Sequence, residues 1–213
     1  MRDLTLLDHM IGVMDEMIRV IFVPPCRVGT RPSPAEGMPH VDLTARDTKH
    51  VAGLMRVNHA GEVCAQALYR GQSLTATLPM VQQQMMQSAQ EEMDHLAWCE
   101  TRLHELGAKP SVLSGFWYFG SLMLGAFAGL VGDRWSLGFV VETERQVSMH
   151  LQSHLAQLPL HDEKTRIILK TMDQDEQHHA EIAQEAGANV LPWWIQKMMQ
   201  GASKVMTLTS YYV

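Results

Sequence analysis

From residue 47 to 188 the chain shows no sustained two-residue alternation and little clustering of β-branched residues, so strands are not expected. It falls instead into four long helix-patterned segments, roughly 48–74, 80–106, 134–157 and 162–187. Breaks fall at Thr75 to Pro79, Gly107 to Ser111 and Leu158 to Asp162. Gly107 followed by Pro110 is a clear stop, because glycine accepts a left-handed cap and proline cannot continue a helix. Helices of 24 to 27 residues joined in pairs by turns this short must run antiparallel, and four of them make a bundle. The expected fold class is all-α.

Residues 111–132, between the second and third helices, run for 22 positions without a charge. By length and apolarity the stretch qualifies as a membrane span, yet it also holds Gly115, Gly120, Gly125, Gly129, Gly132 and three serines. A true span, a buried crossover helix and a helix lying partly in a membrane surface all fit. The third is the expectation, since so apolar a connection exceeds what one more packed helix can bury. Residues 189–213 repeat the theme: Trp194, Ile195, Met198, Met199, Ala202, Val205 and Met206 form one stripe of an amphipathic helix. Trp193, Trp194, Tyr211 and Tyr212 are residue types favoured at a bilayer interface, with simple packing on the bundle as the alternative. At the other end, Leu6, Leu7, Met10, Ile11, Met14, Ile18 and Ile21 recur at helical spacing while Asp3, Asp8, Asp15 and Glu16 interrupt the apolar run. Residues 1–23 are therefore read as an amphipathic helix and not as a targeting segment. The prolines and glycines of 24–46 mark a connecting loop. All of 1–213 is expected to form one domain, with the bundle at 47–188.

A net charge of −6 argues against a nucleic-acid partner, which needs a basic face. Apolar residues make up 46% and charged ones only 19%, the composition of a globular protein with greasy regions. Three cysteines, Cys26, Cys64 and Cys99, stand far apart with no CxxC, which excludes a disulfide framework or a thiolate zinc ribbon and suits a reducing compartment. Sixteen methionines point to adaptable packing against something apolar, and 11 histidines raise the prospect of a metal site without locating it.

Two Glu-x-x-His motifs occur, Glu92-Met-Asp-His95 and Glu176-Gln-His-His179. Composition alone supplies about one such match, so their placement has to carry the argument. On a helix, positions i and i+3 share a face, and each motif offers a carboxylate and an imidazole to one point. Glu62 lies 30 residues before Glu92, and Glu142 lies 34 before Glu176. The midpoints, Thr77 and Pro159, fall on the expected turns, so both members of each pair reach matching heights, about 22 to 26 Å from the turn. Glu142 also emerges from a strongly apolar stretch, Leu137 to Val141. Four glutamates and two histidines converging in a core cannot all stay ionised unless something positive joins them. Two iron or manganese ions meet that need, since hard oxygen donors with imidazole suit those metals. Single Glu, Glu-x-x-His, single Glu, Glu-x-x-His on four helices is the pattern of ferritin-like di-metal carboxylate bundles. Glu91 and Asp175, each one residue before a ligand glutamate, are expected to hold ligand histidines from behind, and His59, one turn before Glu62, is a further candidate.

The segments Arg56-Val-Asn-His-Ala-Gly-Glu62, Glu92-Met-Asp-His95, Val141-Glu142 and Glu176-Gln-His-His179 resemble the di-iron demethoxyubiquinone hydroxylases of ubiquinone biosynthesis. The resemblance runs from about residue 48 to the end, and 56–62 is its most specific part. The leading helix and proline-rich loop resemble the longer bacterial members. It implies a monooxygenase that uses O2 to hydroxylate 2-polyprenyl-3-methyl-6-methoxy-1,4-benzoquinol, giving 3-demethylubiquinol. By resemblance, Glu62, Glu92, His95, Glu142, Glu176 and His179 bind two Fe ions per chain, with no catalytic residue beyond them. It further implies NADH as reductant, a peripheral place on the cytoplasmic side of the cell membrane, and other ubiquinone-biosynthesis proteins as partners. No Gly-x-Gly-x-x-Gly follows a strand pattern, so no Rossmann site for NADH or flavin is visible. Eukaryotic members carry a His-Tyr pair about two turns beyond the third glutamate; Ser148 and Met149 stand near that place here, with His150 and His154 close by. A different membrane di-iron quinol oxidase, and a non-enzymatic ferritin-like iron- or lipid-binding protein, are the competing readings.

Overall fold

The computed structural model describes residues 29–213 together with Ile11, Gly12, Met14, Asp15 and Ile18. The N-terminal helix expected over 1–23, and the first part of the loop that follows it, lie for the most part outside the described residues. Those residues form six helices and no strand: α1 (Ala45–Thr75), α2 (Pro79–Glu105), α3 (Ser114–Val131), α4 (Asp133–Gln157), α5 (Glu163–Glu185) and α6 (Trp193–Ser210).

The ends of the helices follow from local chemistry. Thr44 caps α1, its hydroxyl oxygen accepting from the Asp47 amide at 3.1 Å. Pro79 opens α2, where its missing N–H costs nothing. Gly107 closes α2 at φ +66°, its amide donating to the His104 carbonyl while the Ala108 amide reaches back to Leu103. Gly187 closes α5 in the same way. Asp162 caps α5 and also accepts from Arg102 at 2.9 Å, which ties the start of α5 to α2.

α1 with α2, and α4 with α5, form two antiparallel hairpins that face each other as a four-helix bundle of the ferritin-like kind. Two apolar clusters fill its interior. One contains Val51, Met55, Trp98, Leu103, Leu151 and Met172; the other contains Leu68, Tyr69, Met85, Leu137, Val140 and Ala183. Every bundle helix contributes to both clusters, which leaves a polar gap in the middle of each helix. The glutamates lie in that gap.

The crossover expected at 111–132 is helix α3, laid along α1. Gly71 and Gly125 let the two backbones meet: a Cβ on Gly125 would stand 2.1 Å from the Leu68 carbonyl oxygen, and one on Gly71 would stand 2.2 Å from that of Leu122. The Gly125-x-x-x-Gly129 face, a close-packing device in apolar helices, is thus filled within the chain. Length and composition would let α3 cross a membrane. Its inner face, however, is packed on the bundle through Tyr118, Gly125, Ala128 and Gly129, while Phe116, Phe119, Phe127 and Leu130 stay exposed. The C-terminal stripe divides likewise: Ile195, Met199 and Met206 turn inward, and Trp193, Trp194, Met198 and Val205 remain outside.

Candidate metal centre

Glu62 on α1, Glu92 and His95 on α2, and Glu176 and His179 on α5 meet in the polar gap, all buried. The fourth helix brings Glu144, not Glu142. Glu142 turns aside: its Oε1 accepts from Gln146 at 2.7 Å and its Oε2 lies 3.9 Å from Arg145. Two residues advance a helix by only about 3 Å but rotate it by about 200°, so 142 and 144 share a height and point to different sides. Glu144 continues the buried stripe of Leu137, Val140, Ser148 and Leu151, and that stripe is the sequence signal that identifies it.

The donors fall into two overlapping groups, Glu62, Glu92, His95 and Glu176, and Glu92, Glu144, Glu176 and His179; within each, the donor atoms lie within 4.8 Å of one another. Glu92 belongs to both, with Oε2 at 3.0 Å from His95 Nδ1 and Oε1 at 3.4 Å from His179 Nδ1. Glu176 is split the same way, at 3.1 Å and 3.5 Å. Glu62 lies 3.4 Å from His95 alone, and Glu144 lies 3.8 Å from His179 alone. Glu92 and Glu176, shared by both groups, would thus serve two ions, while Glu62 and Glu144 would serve one each.

Both histidines face inward through Nδ1 and are held from behind through Nε2. His95 Nε2 meets Asp175 at 3.0 Å, and His179 Nε2 meets Glu91 at 2.7 Å. The two acids expected behind the histidines are there, and each serves the histidine of the opposite hairpin. Such partners keep the ring proton on Nε2 and leave the Nδ1 lone pair for a metal. His59 does not join them; it pairs with Glu100 at 3.2 Å.

The cluster fits a pair of divalent ions on two counts. Both oxygens of Glu62, Glu144 and Glu176, Oε1 of Glu92 and Nδ1 of His179 are buried without a hydrogen bond, a costly state that coordination removes. The protonation pattern gives the second. Burial drives the Glu62 and Glu144 carboxyls well up, helped by the charge of Glu176. Burial opposes charge on Glu92 and Glu176 too, but both imidazoles outweigh it and hold those carboxyls down. His95 and His179 are pushed well up against burial, chiefly by Asp175 and Glu176 for the first and by Glu176 and Glu91 for the second. Glu62, Glu144, His95 and His179 thus all bind protons more tightly than free side chains do, and divalent ions would take the place of those protons. With four carboxylates, two imidazoles and no thiolate, the donor set suits iron or manganese.

A cavity of about 310 Å³ opens beside the site between α1, α3, α4 and α6. Val57, Leu68, Phe116, Leu124, Met199 and Met206 give it apolar walls, and Glu62 stands in its lining. Asn58, Gln146 and the hydrogen-bonded pair His150 and Ser203, 2.9 Å apart, are polar members of its lining.

Fold and site together define a helical-bundle protein with a carboxylate–histidine centre able to hold two metal ions. The chain belongs to the family of ubiquinone biosynthesis protein COQ7, whose pattern it matches over residues 49–210. It is 57% identical to a protein of Legionella pneumophila (strain Paris) named 3-demethoxyubiquinol 3-hydroxylase, over all 213 residues of both chains. It is 54% identical, again over the full length of both, to the protein of that name from Acinetobacter baylyi (strain ATCC 33305 / BD413 / ADP1).

Proposed function

We propose that this chain is a di-iron monooxygenase that hydroxylates the ring of demethoxyubiquinol with O2, giving 3-demethylubiquinol. Glu62, Glu92, His95, Glu144, Glu176 and His179 hold the two irons, and 1–213 works as one domain. The observation that supports this reading is the apolar cavity with Glu62 in its lining, which would seat a greasy ring compound beside the metal centre. Bound iron supplies O2 activation; the protein fixes the donors, excludes water and orients the ring. The apolar walls would enclose the ring and the start of its polyprenyl tail, with Gln146 and the His150–Ser203 pair as the polar lining near its oxygens. NADH is the electron source in this reading.

The exposed Phe116, Phe119, Phe127 and Leu130 of α3 and Trp193 and Trp194 of α6 support a peripheral position on a membrane surface, from which a polyprenyl quinol could enter; the cytoplasmic face is the side this reading assigns. Other ubiquinone-biosynthesis proteins are partners in this reading.

The test is turnover of demethoxyubiquinol by iron-loaded protein under O2, with the product identified by mass. Gly61 stands on the cavity wall with open space before its missing Cβ, so Gly61→Phe is expected to keep the iron and abolish product. Oxygen consumption without a hydroxylated ring would overturn the hydroxylase reading.

A further inference from the structure

The two halves of the centre match residue for residue until the groups behind the histidines are followed outward. Glu91, behind His179, accepts from the neutral amide of Gln87 at 3.0 Å. Asp175, behind His95, accepts instead from the guanidinium of Arg31 at 2.7 Å. Arg31 belongs to neither hairpin; it lies in the chain ahead of α1.

That chain is fastened across the bundle at this point. Asp94, buried next to His95, accepts from the Thr30 amide at 2.5 Å, the Thr30 hydroxyl at 2.9 Å, the Arg31 amide at 3.3 Å and Arg31 Nε at 3.2 Å. A carboxylate with this many donors is a rigid anchor. The Arg31 guanidinium lies over the Trp98 ring at 4.9 Å, and the Arg31 carbonyl accepts from Trp98 Nε1 at 3.4 Å. Gly29 passes so close that a Cβ would stand 2.7 Å from Asp94 Oδ1. One side chain thus joins α2, through Asp94 and Trp98, to α5, through Asp175, over the imidazole of His95.

We infer that Gly29 to Arg31 form a strap in which Arg31 is a positioning residue for one of the two metals, the one held by His95, and makes the two metal positions unequal. Its fork engages Asp94 and Asp175 together, which fixes Asp175 against His95 Nε2 and so aims Nδ1 at the ion. The inference rests on the di-metal reading of the same centre.

The test titrates Fe(II) anaerobically into full-length protein stripped of metal, with calorimetry and Mössbauer spectra at each equivalent. Wild type should take up two ions. Arg31→Met should weaken one of the two by about ten- to a hundredfold, as loss of a ligand's supporting group does, and leave the other within about twofold. Helix content and unfolding temperature should stay near wild type. Arg31→Lys should recover part of the loss, because a lysine restores charge to Asp175 but cannot hold Asp94 at the same time. If Arg31→Met fails to fold, Arg31→Lys decides: a selective loss at one equivalent supports the strap, and two unchanged equivalents overturn it. Wild-type affinities and spectra in Arg31→Met would also overturn it while leaving the di-metal reading intact. Equal weakening of both ions together with a fall in unfolding temperature would reduce Arg31 to a structural residue. A wild type that binds fewer than two ions would sink the di-metal reading itself, and this inference with it.

Discussion

The contact between α1 and α3 gives a prediction whose sign depends on a single atom. A Cβ on Gly125 would lie 2.1 Å from the Leu68 carbonyl oxygen, against about 3.4 Å for ordinary contact, so the helices must part by up to about 1.3 Å. A gap of that size forfeits much of the attraction along the whole crossing, where a Cβ on Gly71 or Gly129 would be held as tightly, at 2.2 and 2.0 Å from the nearest atom, and overpacking of this kind costs about 1–3 kcal/mol. Alanine also returns about 1 kcal/mol of helix propensity, which leaves Gly125→Ala about 0–2 kcal/mol less stable than wild type. Gly120, in the same helix, has nothing within 4 Å of its missing Cβ, so Gly120→Ala should gain about 0.5–1 kcal/mol. Urea unfolding followed by circular dichroism separates the two variants. Equal stability of Gly125→Ala and Gly120→Ala would refute the docked α3 and favour a helix free of the bundle. Since α3 also walls the cavity, Gly125→Ala should weaken quinol binding as well.

Other predictions concern the centre. Glu144→Gln should weaken one metal equivalent by about 3–5 kcal/mol, two to three and a half decades, because a buried cation loses its paired carboxylate. Glu142→Gln should change binding little, and calorimetric metal titration of both variants distinguishes them; the reverse order would put the ligand back at 142. Because Glu62, Glu144, His95 and His179 bind protons more tightly than free side chains do, loading divalent ions should release protons. Metal affinity should therefore fall as the solution is acidified. Titrations in buffers of different ionisation enthalpy count the protons, and release of none would contradict the protonation pattern derived for the site.

Much of the architecture was legible in the residues. Thr75 to Pro79, Gly107 with Pro110, and Leu158 to Asp162 place the helix ends within about three residues, because capping and proline chemistry act locally. The heights of Glu62, Glu92 and Glu176 follow from counting out of two turns, and the positions of Glu91 and Asp175 follow from the Glu-x-x-His motifs beside them. Counting fails at the third glutamate, because 142 and 144 both satisfy it. The apolar run from Leu137 to Val141 then draws attention to the wrong face: there α4 is covered on several sides, with Phe139 packed on Leu191 and Gly138 against the Asn189 carbonyl. Arg31 left no signal of this kind. It reaches Asp94 and Asp175 from a proline-rich loop 63 and 144 residues away, through contacts that only the folded chain creates.

Metal content paired with Mössbauer spectroscopy, on protein purified from iron-supplemented cells, tests the central claim most directly. The account predicts about two irons per chain as an antiferromagnetically coupled pair, with Glu144→Ala losing the coupled signal. One iron, none, or tightly held zinc that is unchanged in Glu144→Ala and Glu62→Ala would contradict it.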